Sequence, residues 1–178
     1  MVPNTDTDLW VSWTDYHRSV VKLAQIIHES GWKFDQVLCL ARGGLRPGDI
    51  LSRIFDVPLA ILSTSSYRDE SGMLRGELDI AKYITMAKGT LNGRVLLVDD
   101  LVDSGITLER VQHHLQQNLP SVTEVKSAVI WCKACSSIRP NFYLDYLETN
   151  PWIHQPFEDY DGLRSHQLSA WLKKGESK

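Results

Sequence analysis

Cysteine is scarce in this chain, with three in 178 residues, at Cys39, Cys132 and Cys135. The opening stretch, MVPNTDTDLW, lacks the basic-then-apolar pattern of an export signal. The expectation is a cytoplasmic protein whose thiols stay reduced. No apolar run approaches the length needed to span a bilayer, and neither an internal repeat nor a low-complexity tract is present. An excess of basic charge is missing as well: 19 Lys and Arg against 22 Asp and Glu give a formal net charge of -3. A general nucleic-acid binder neutralises phosphates with a basic face, so nucleic acid is not an expected partner. A small basic pocket for a phosphorylated metabolite is compatible with that balance.

What is present fits one globular domain over residues 1–178, with 43% hydrophobic and 23% charged residues. Ser12 or Thr14 can cap a helix whose apolar stripe falls at Tyr16, Val20, Leu23, Ala24 and Ile27, and Gly31 sits where such a helix ends. Gln36 to Ala41 reads as a buried strand, Leu45 to Phe55 as a helix with Pro47 in its first turn, and Val57 to Ser63 as a strand. Ser65 to Asp79 is polar, carries Gly72 and Gly76 and is longer than most connections, which predicts a mobile functional loop. Lys82 to Met86 suggests a short strand. Arg94 to Val98 reads as strand, Asp99 to Ile106 as loop and Thr107 to Gln117 as helix; strands follow at Val122 to Trp131 and Phe142 to Leu147, and the polar tail from Lys173 is expected to fray. Strands alternating with helices predict an α/β fold with a mostly parallel, twisted sheet flanked by helices. In such sheets ligands bind at the carboxyl ends of strands, where the loops after Ala41 and Val98 begin.

The most informative stretch is Val95-Leu96-Leu97-Val98-Asp99-Asp100-Leu101-Val102-Asp103-Ser104-Gly105-Ile106-Thr107. A buried strand delivers two adjacent carboxylates to its tip, where they can accept hydrogen bonds from sugar hydroxyls and help hold a hard cation such as Mg²⁺. Asp-Ser-Gly-Ile-Thr then turns into a helix, so backbone amides, a helix dipole and two hydroxyls form a phosphate cradle. Turn chemistry, with Asp103 or Ser104 capping the helix, is the plainer account of the same residues.

This segment resembles the phosphoribosyl-diphosphate (PRPP) signature of the type I phosphoribosyltransferases. Ala41-Arg42-Gly43-Gly44-Leu45 is similar to that family's pyrophosphate loop, and Ser65-Ser66-Tyr67 to the start of its mobile lid. Cys132-Lys133 falls where the purine enzymes keep a lysine for the 6-oxo group. Pro151-Trp152-Ile153-His154-Gln155-Pro156-Phe157 resembles the hood of the bacterial xanthine-guanine enzymes. The resemblance covers roughly residues 10 to 160 and implies a lid at about 65–80, a hood at about 133–165 and a homo-oligomer, dimer or tetramer. It implies purine salvage: a 6-oxopurine (xanthine, guanine or hypoxanthine) displaces pyrophosphate from PRPP to give the nucleoside monophosphate, with Mg²⁺ as cofactor.

Residue by residue, the resemblance places Arg42, Gly43 and Gly44 on the pyrophosphate. Asp99 and Asp100 take the ribose hydroxyls and Mg²⁺, and Ser104, Gly105 and Thr107 the 5′-phosphate. Ser66, Tyr67 and Arg75 belong to the lid side of the PRPP site, with Arg68 beside them. Asp103 is the candidate to accept the purine N7 proton. Lys133 donates to the 6-oxo oxygen, Trp152 stacks on the base and the Ile153 backbone reads its edge. Ile106 departs from the family pattern, standing where a glycine is common. For Arg42, Lys133 and Trp152 the alternatives are a solvent-exposed arginine, a solvated charge and core packing. The Cys132-x-x-Cys135 spacing lacks the second pair a zinc site wants and does not open a helix as a redox motif would. His113-His114 reads as a solvated helix face, and spacing alone gives His154 no role. The rivals are a PRPP-sensing regulator without catalysis and a phosphoribosyltransferase for another base.

Overall fold

A computed structural model describes residues 8–68 and 74–175. The elements in chain order are β1 (Leu9–Trp10), α1 (Trp13–Glu29), β2 (Gln36–Ala41), α2 (Leu45–Phe55), β3 (Leu59–Arg68), β4 (Leu74–Ile80), β5 (Thr85–Met86) and β6 (Gly93–Val98). They continue with β7 (Leu101–Val102), α3 (Ile106–Asn118), β8 (Val122–Lys133), β9 (Phe142–Leu147), β10 (Ile153–His154) and α4 (Leu168–Gly175). Two short 3₁₀ turns, Glu158–Tyr160 and Ser165–Gln167, lie between the last two. Contacts divide the chain into a central unit, Arg18–Asn150, and a terminal unit that combines the segment through His17 with Pro151 onward.

The central unit is an α/β sheet in the order β4-β3-β2-β6-β8-β7, with β5 beside β3 and β9 beside β8. All pairings are parallel except those of β4 and β5 with β3. The middle strands read as unbroken apolar runs because both of their faces are covered. Val37 to Leu40, Val95 to Val98 and Ala128 to Cys132 are all buried. Successive side chains point to opposite faces. Leu38, Leu40, Val95 and Leu97 therefore share the face on which α3 lays Leu108, Val111 and Leu115. Each such side chain, fully buried, contributes about 1.5–3 kcal/mol. On the other face α2 comes close enough that a side chain at Gly48 would meet the Cβ of Cys39 at 2.5 Å. Burial pushes the Cys39 thiol up to about 11, so it behaves as a small core group.

The chain leaves β2 through α2 to reach β3 on one side, and leaves β6 through α3 to reach β8 on the other. The direction of winding reverses between β2 and β6. At that reversal the loops after two neighbouring parallel strands part and leave a crevice. The register Cys39↔Val98 sets the ends of the two strands side by side.

Two segments differ from the sequence expectation. The stretch expected to be loop between Ser65 and Asp79 is, in its described part, an antiparallel pair, with Ser65↔Asp79, Ser66↔Leu78 and Arg68↔Leu74. A backbone ladder at the edge of a sheet needs no apolar side chains, and polar ones protect the edge. The loop expected over Asp99 to Ile106 contains β7, whose Leu101 and Val102 pair with Trp131 and Cys132.

The terminal unit is built around α1's start and β10. Ser12 caps α1: the Asp15 amide donates to Ser12 Oγ at 3.1 Å, and Ser12 Oγ donates to the Asp15 carboxylate at 2.6 Å. Tyr16, fully buried, meets Phe157 edge-on at 5.8 Å. β1 and β10 pair in parallel, and the Leu9 and Val11 amides donate to the Trp152 and His154 carbonyls at 2.9 and 3.0 Å. Trp10 stacks on the His154 ring at 3.7 Å, and Asp8 accepts from His154 Nε2 at 3.0 Å.

Candidate active site

The loop after β2 carries Arg42, Gly43 and Gly44, entered through a cis Ala41–Arg42 peptide bond. Gly44 closes the turn by donating its amide to Leu40 O at 2.8 Å. Its Cα is wedged between β2 and β6: a Cβ there would lie 2.8 Å from Leu40 O and collide with Val98 O. A Cβ on Gly43 would sit 2.5–2.8 Å from the Asp100 carboxylate. Glycine at both positions is a condition for the two loops to touch. The pyrophosphate-loop residues and the acidic pair, 55 or more positions apart in the chain, thereby form one surface at the crevice.

Asp99 and Asp100 cap β6 and hold their own turn. The Asp100 amide donates to Asp99 Oδ1 at 3.0 Å and the Leu101 amide to Asp100 Oδ1 at 2.8 Å. The Ile130 amide donates to Asp100 O at 2.9 Å, tying the turn to β8. Loss of solvent around Asp99, together with the Asp100 charge, holds the Asp99 carboxyl well above the ordinary carboxylate range; the Asp100 and Gly44 amides oppose this only in part. Two oxygen-rich side chains in a poorly hydrated position suit a hard cation or sugar hydroxyls, either of which offsets the cost of their charge. Among the described residues no group of three or more His, Cys, Asp or Glu could hold a metal. A cation that keeps most of its waters and takes one or two carboxylates fits the pair.

β7 carries the chain from the acidic pair to Asp103, whose side chain is 60% exposed. Lys133, the last residue of β8, reaches it: Nζ lies 3.6 Å from Asp103 Oδ1, and the lysine side chain is only 9% exposed. Lys133 is a buried, paired cation and not a solvated surface charge. Cys135 Sγ lies 3.5 Å from the same Oδ1. α3 is entered through Gly105 at φ 87, which makes no capping bond, so Asp103 is not its cap and Ser104 reaches the helix start only through one long bond, from the Ile106 amide. Positive φ is readily adopted by glycine alone, and a Cβ at Gly105 would strike Ile138 Cγ2 at 2.5 Å. The turn at 135–138 braces the loop from behind, with Ser137 N and Oγ donating to Ser104 O at 3.0 and 2.9 Å. Ile106 N donates to Ser104 Oγ at 3.4 Å. Gly105 supplies the unusual backbone angle, so Ile106 is simply the first helical residue and needs no glycine. Thr107 follows it in the first turn, where helix amides stay open to an anion.

Trp152 and Ile153 belong to the terminal unit. Trp152 is 57% exposed, with Nε1 donating to Glu158 Oε2 at 3.4 Å, so it is not core. Ile153 is buried in β10, and β1 takes its bonds from the Trp152 and His154 carbonyls. By the alternation of a parallel ladder the Ile153 amide and carbonyl point away from β1. Ser66, Tyr67 and Arg68 lie on β3 and Arg75 on β4 by their backbones; their side chains fall outside the described residues. Sequence reasoning missed Cys135 as a neighbour of Asp103 and the bracing turn, since neither is marked by spacing. It also gave His154 no part, whereas its ring is the anchor for Trp10 and Asp8.

An oxygen-rich strand tip, a glycine turn against it and an amide-lined helix start lie together at a topological switch point, a chemistry suited to a phosphorylated sugar. The chain belongs to the phosphoribosyltransferase family: the phosphoribosyl transferase domain matches residues 12–161. Its resemblance to xanthine-guanine phosphoribosyltransferase of Idiomarina loihiensis is 28% identity over 159 residues, covering 87% of this chain and 89% of that protein. The crystal structure of a purine phosphoribosyltransferase from Pyrococcus horikoshii is 31% identical with a TM-score of 0.70, covering 89% of this chain and 99% of that one. The fold is shared with Helicobacter pylori xanthine-guanine-hypoxanthine phosphoribosyltransferase at 24% identity and a TM-score of 0.69, over 96% and 99% of the two chains.

Proposed function

We propose that this phosphoribosyltransferase salvages a 6-oxopurine, converting xanthine, guanine or hypoxanthine and PRPP to the nucleoside monophosphate and pyrophosphate. The observation that carries the reading is the contact between the buried Lys133 and Asp103 beside the phosphate loop. A donor for a 6-oxo oxygen and an acceptor for a ring N–H are thereby set on one side of the sugar site. Adenine, whose 6-amino group is itself a donor, fits Lys133 poorly. The purine-enzyme relatives support the same substrate class.

In this reading Ser104, Gly105 and Thr107 hold the 5′-phosphate at the start of α3. Asp99 and Asp100 orient the ribose hydroxyls and would hold Mg²⁺, which neutralises charge on the leaving pyrophosphate when bound. Arg42 and the Gly43 amide receive that pyrophosphate as the anomeric carbon gains oxocarbenium character, while the Gly44 amide is committed to Leu40 O and Gly44 serves by closing the turn. Asp103 accepts the proton from purine N7 as the new bond forms. Trp152 stacks on the base, and the outward-pointing Ile153 amide and carbonyl read its edge. Ser66, Tyr67 and Arg75 close over the PRPP, keeping water from competing for the activated sugar. Among the described residues no helix is long and apolar enough to cross a membrane. The cytoplasm, where thiols stay reduced, is the compartment this reading assigns.

The test is nucleotide formation from PRPP and Mg²⁺ with xanthine, guanine, hypoxanthine, adenine and uracil in turn. Turnover confined to the 6-oxopurines is expected. Turnover of adenine or uracil instead would reassign the base, and PRPP binding without turnover of any base would make the protein a PRPP sensor.

A further inference from the structure

Of the three thiols, Cys39 and Cys132 are buried and Cys135 is exposed. Cys135 is also the one whose sulfur meets the site: Sγ lies 3.5 Å from Asp103 Oδ1 and 3.6 Å from the Asp103 carbonyl oxygen. Lys133 Nζ approaches that same Oδ1 at 3.6 Å. The turn bearing Cys135 is fixed at both ends. The Ala134 amide donates to Leu147 O at 2.8 Å, the Ser136 amide to Lys133 O at 3.1 Å, and Ser137 to the phosphate loop at Ser104 O.

We propose that Cys135 is a positioning residue for Asp103: its thiol donates to Oδ1 and, together with Lys133, fixes the carboxylate so that Oδ2 is presented to the purine N7 proton. The proposal rests on the reading of Asp103 as the proton acceptor. A side chain as exposed as that of Asp103 samples several rotamers unless something holds it, and a carboxylate misplaced by a fraction of an ångström transfers a proton less well. Two donors converging from one wall supply the hold. A thiol suits the task, because partial loss of solvent and the neighbouring Asp103 carboxylate push the Cys135 thiol above its ordinary value and keep the S–H available. The ionisable groups set against Asp103 are Lys133 and Cys135, with Asp99 and Asp100 preceding it on the same loop.

The test compares Cys135→Ala, Cys135→Ser and Asp103→Asn in the full chain, measuring kcat and KM with the 6-oxopurine turned over fastest. A thiol is a weak donor, so the fall in kcat for Cys135→Ala is expected to be about three- to tenfold, with KM for PRPP unchanged. Cys135→Ser keeps a donor and restores the rate, which a thiol that only filled space would not require. As a check that needs no mutation, methyl methanethiosulfonate caps the one exposed thiol of the native enzyme: the thiolate displaces methanesulfinate and becomes S–S–CH₃. The same drop should follow, and dithiothreitol should reverse it. An unchanged kcat in both Cys135→Ala and the capped enzyme, or an equal fall in Cys135→Ala and Cys135→Ser, with Asp103→Asn inactive, would overturn the proposal and leave the reading of Asp103 intact. Full activity of Asp103→Asn would overturn both.

Discussion

The central and terminal units hold their functional residues by different means. In the central unit the candidate groups stand at the ends of strands buried on both faces. Asp99 and Asp100 follow β6, Arg42 follows β2 and Lys133 ends β8, and ladders of backbone bonds fix each one. In the terminal unit Trp152 and Ile153 depend on a two-residue strand pair, one aromatic stack and one His–Asp contact. On the proposed reading, chemistry that cannot tolerate misplacement falls to the deep scaffold. In the same reading, stacking on a flat base, which is forgiving, falls to the lighter one, while Lys133 would read the 6-oxo group from the deep one.

The largest effect expected on this comparison comes from Asp103→Asn, which keeps the shape of the site and removes the base. Steady-state kinetics should show kcat down by about 10²–10⁴, with a lowered melting temperature because the buried Lys133 loses its anionic partner. Gly44→Ala comes next. Its new methyl has only backbone to push against, at Leu40 and Val98, so denaturant unfolding should show a loss of about 1–3 kcal/mol. PRPP affinity should fall in the same variant, because β2 and β6 must part to admit the methyl. Trp10→Ala should be milder and confined to the terminal unit. Loss of the stack costs about 0.5–1.5 kcal/mol, read as faster amide exchange at Ile153 and His154 and unchanged exchange along β6. Faster exchange in both units would show that the two are not held separately.

The smallest effect is one of direction. The folded chain holds the Asp99 carboxyl above its ordinary value, so it keeps a proton that the unfolded chain has already released. Stability without substrate is therefore lost as pH rises from about 4 through the folded value. Asp99→Asn should melt higher than the parent at neutral pH, and the gap should close below about pH 4. A constant gap across that range would remove the titration of Asp99 as its cause.

Much of the central unit could be read from residue order. β2, α2 and β9 begin and end where the apolar runs and Pro47 place them, because strands buried on both faces and a proline-started helix leave plain marks. The mostly parallel sheet followed from the alternation of those elements. β7 was not legible: two residues inside a loop carry no periodicity, and their strand character comes from β8 alongside. β1 and β10 escaped for the same reason. α4 escaped because Leu168-Ser169-Ala170-Trp171-Leu172 runs straight into the Lys-Lys-Gly of a tail that looks frayed. For the candidate site, the run from Asp99 to Thr107 stands out as a strand tip, an acidic pair and a small-residue turn into a helix, and β6, β7 and α3 follow in that order. The burial of Lys133 and the approach of Cys135 to Asp103 depend on how β8 ends against β7, which spacing within one strand does not record.

The contact of His154 with Asp8 joins residues 146 positions apart. On the ribosome, where the chain emerges from its N-terminus, β1 is made early and has no partner until β10 has left the exit tunnel. The strands of the central sheet are all made before β10 and pair with nearer neighbours in the chain. The β1–β10 ladder is therefore the last of the described strand pairings whose second strand is synthesised, so the segment that carries Trp152 and Ile153 gains its support late in synthesis.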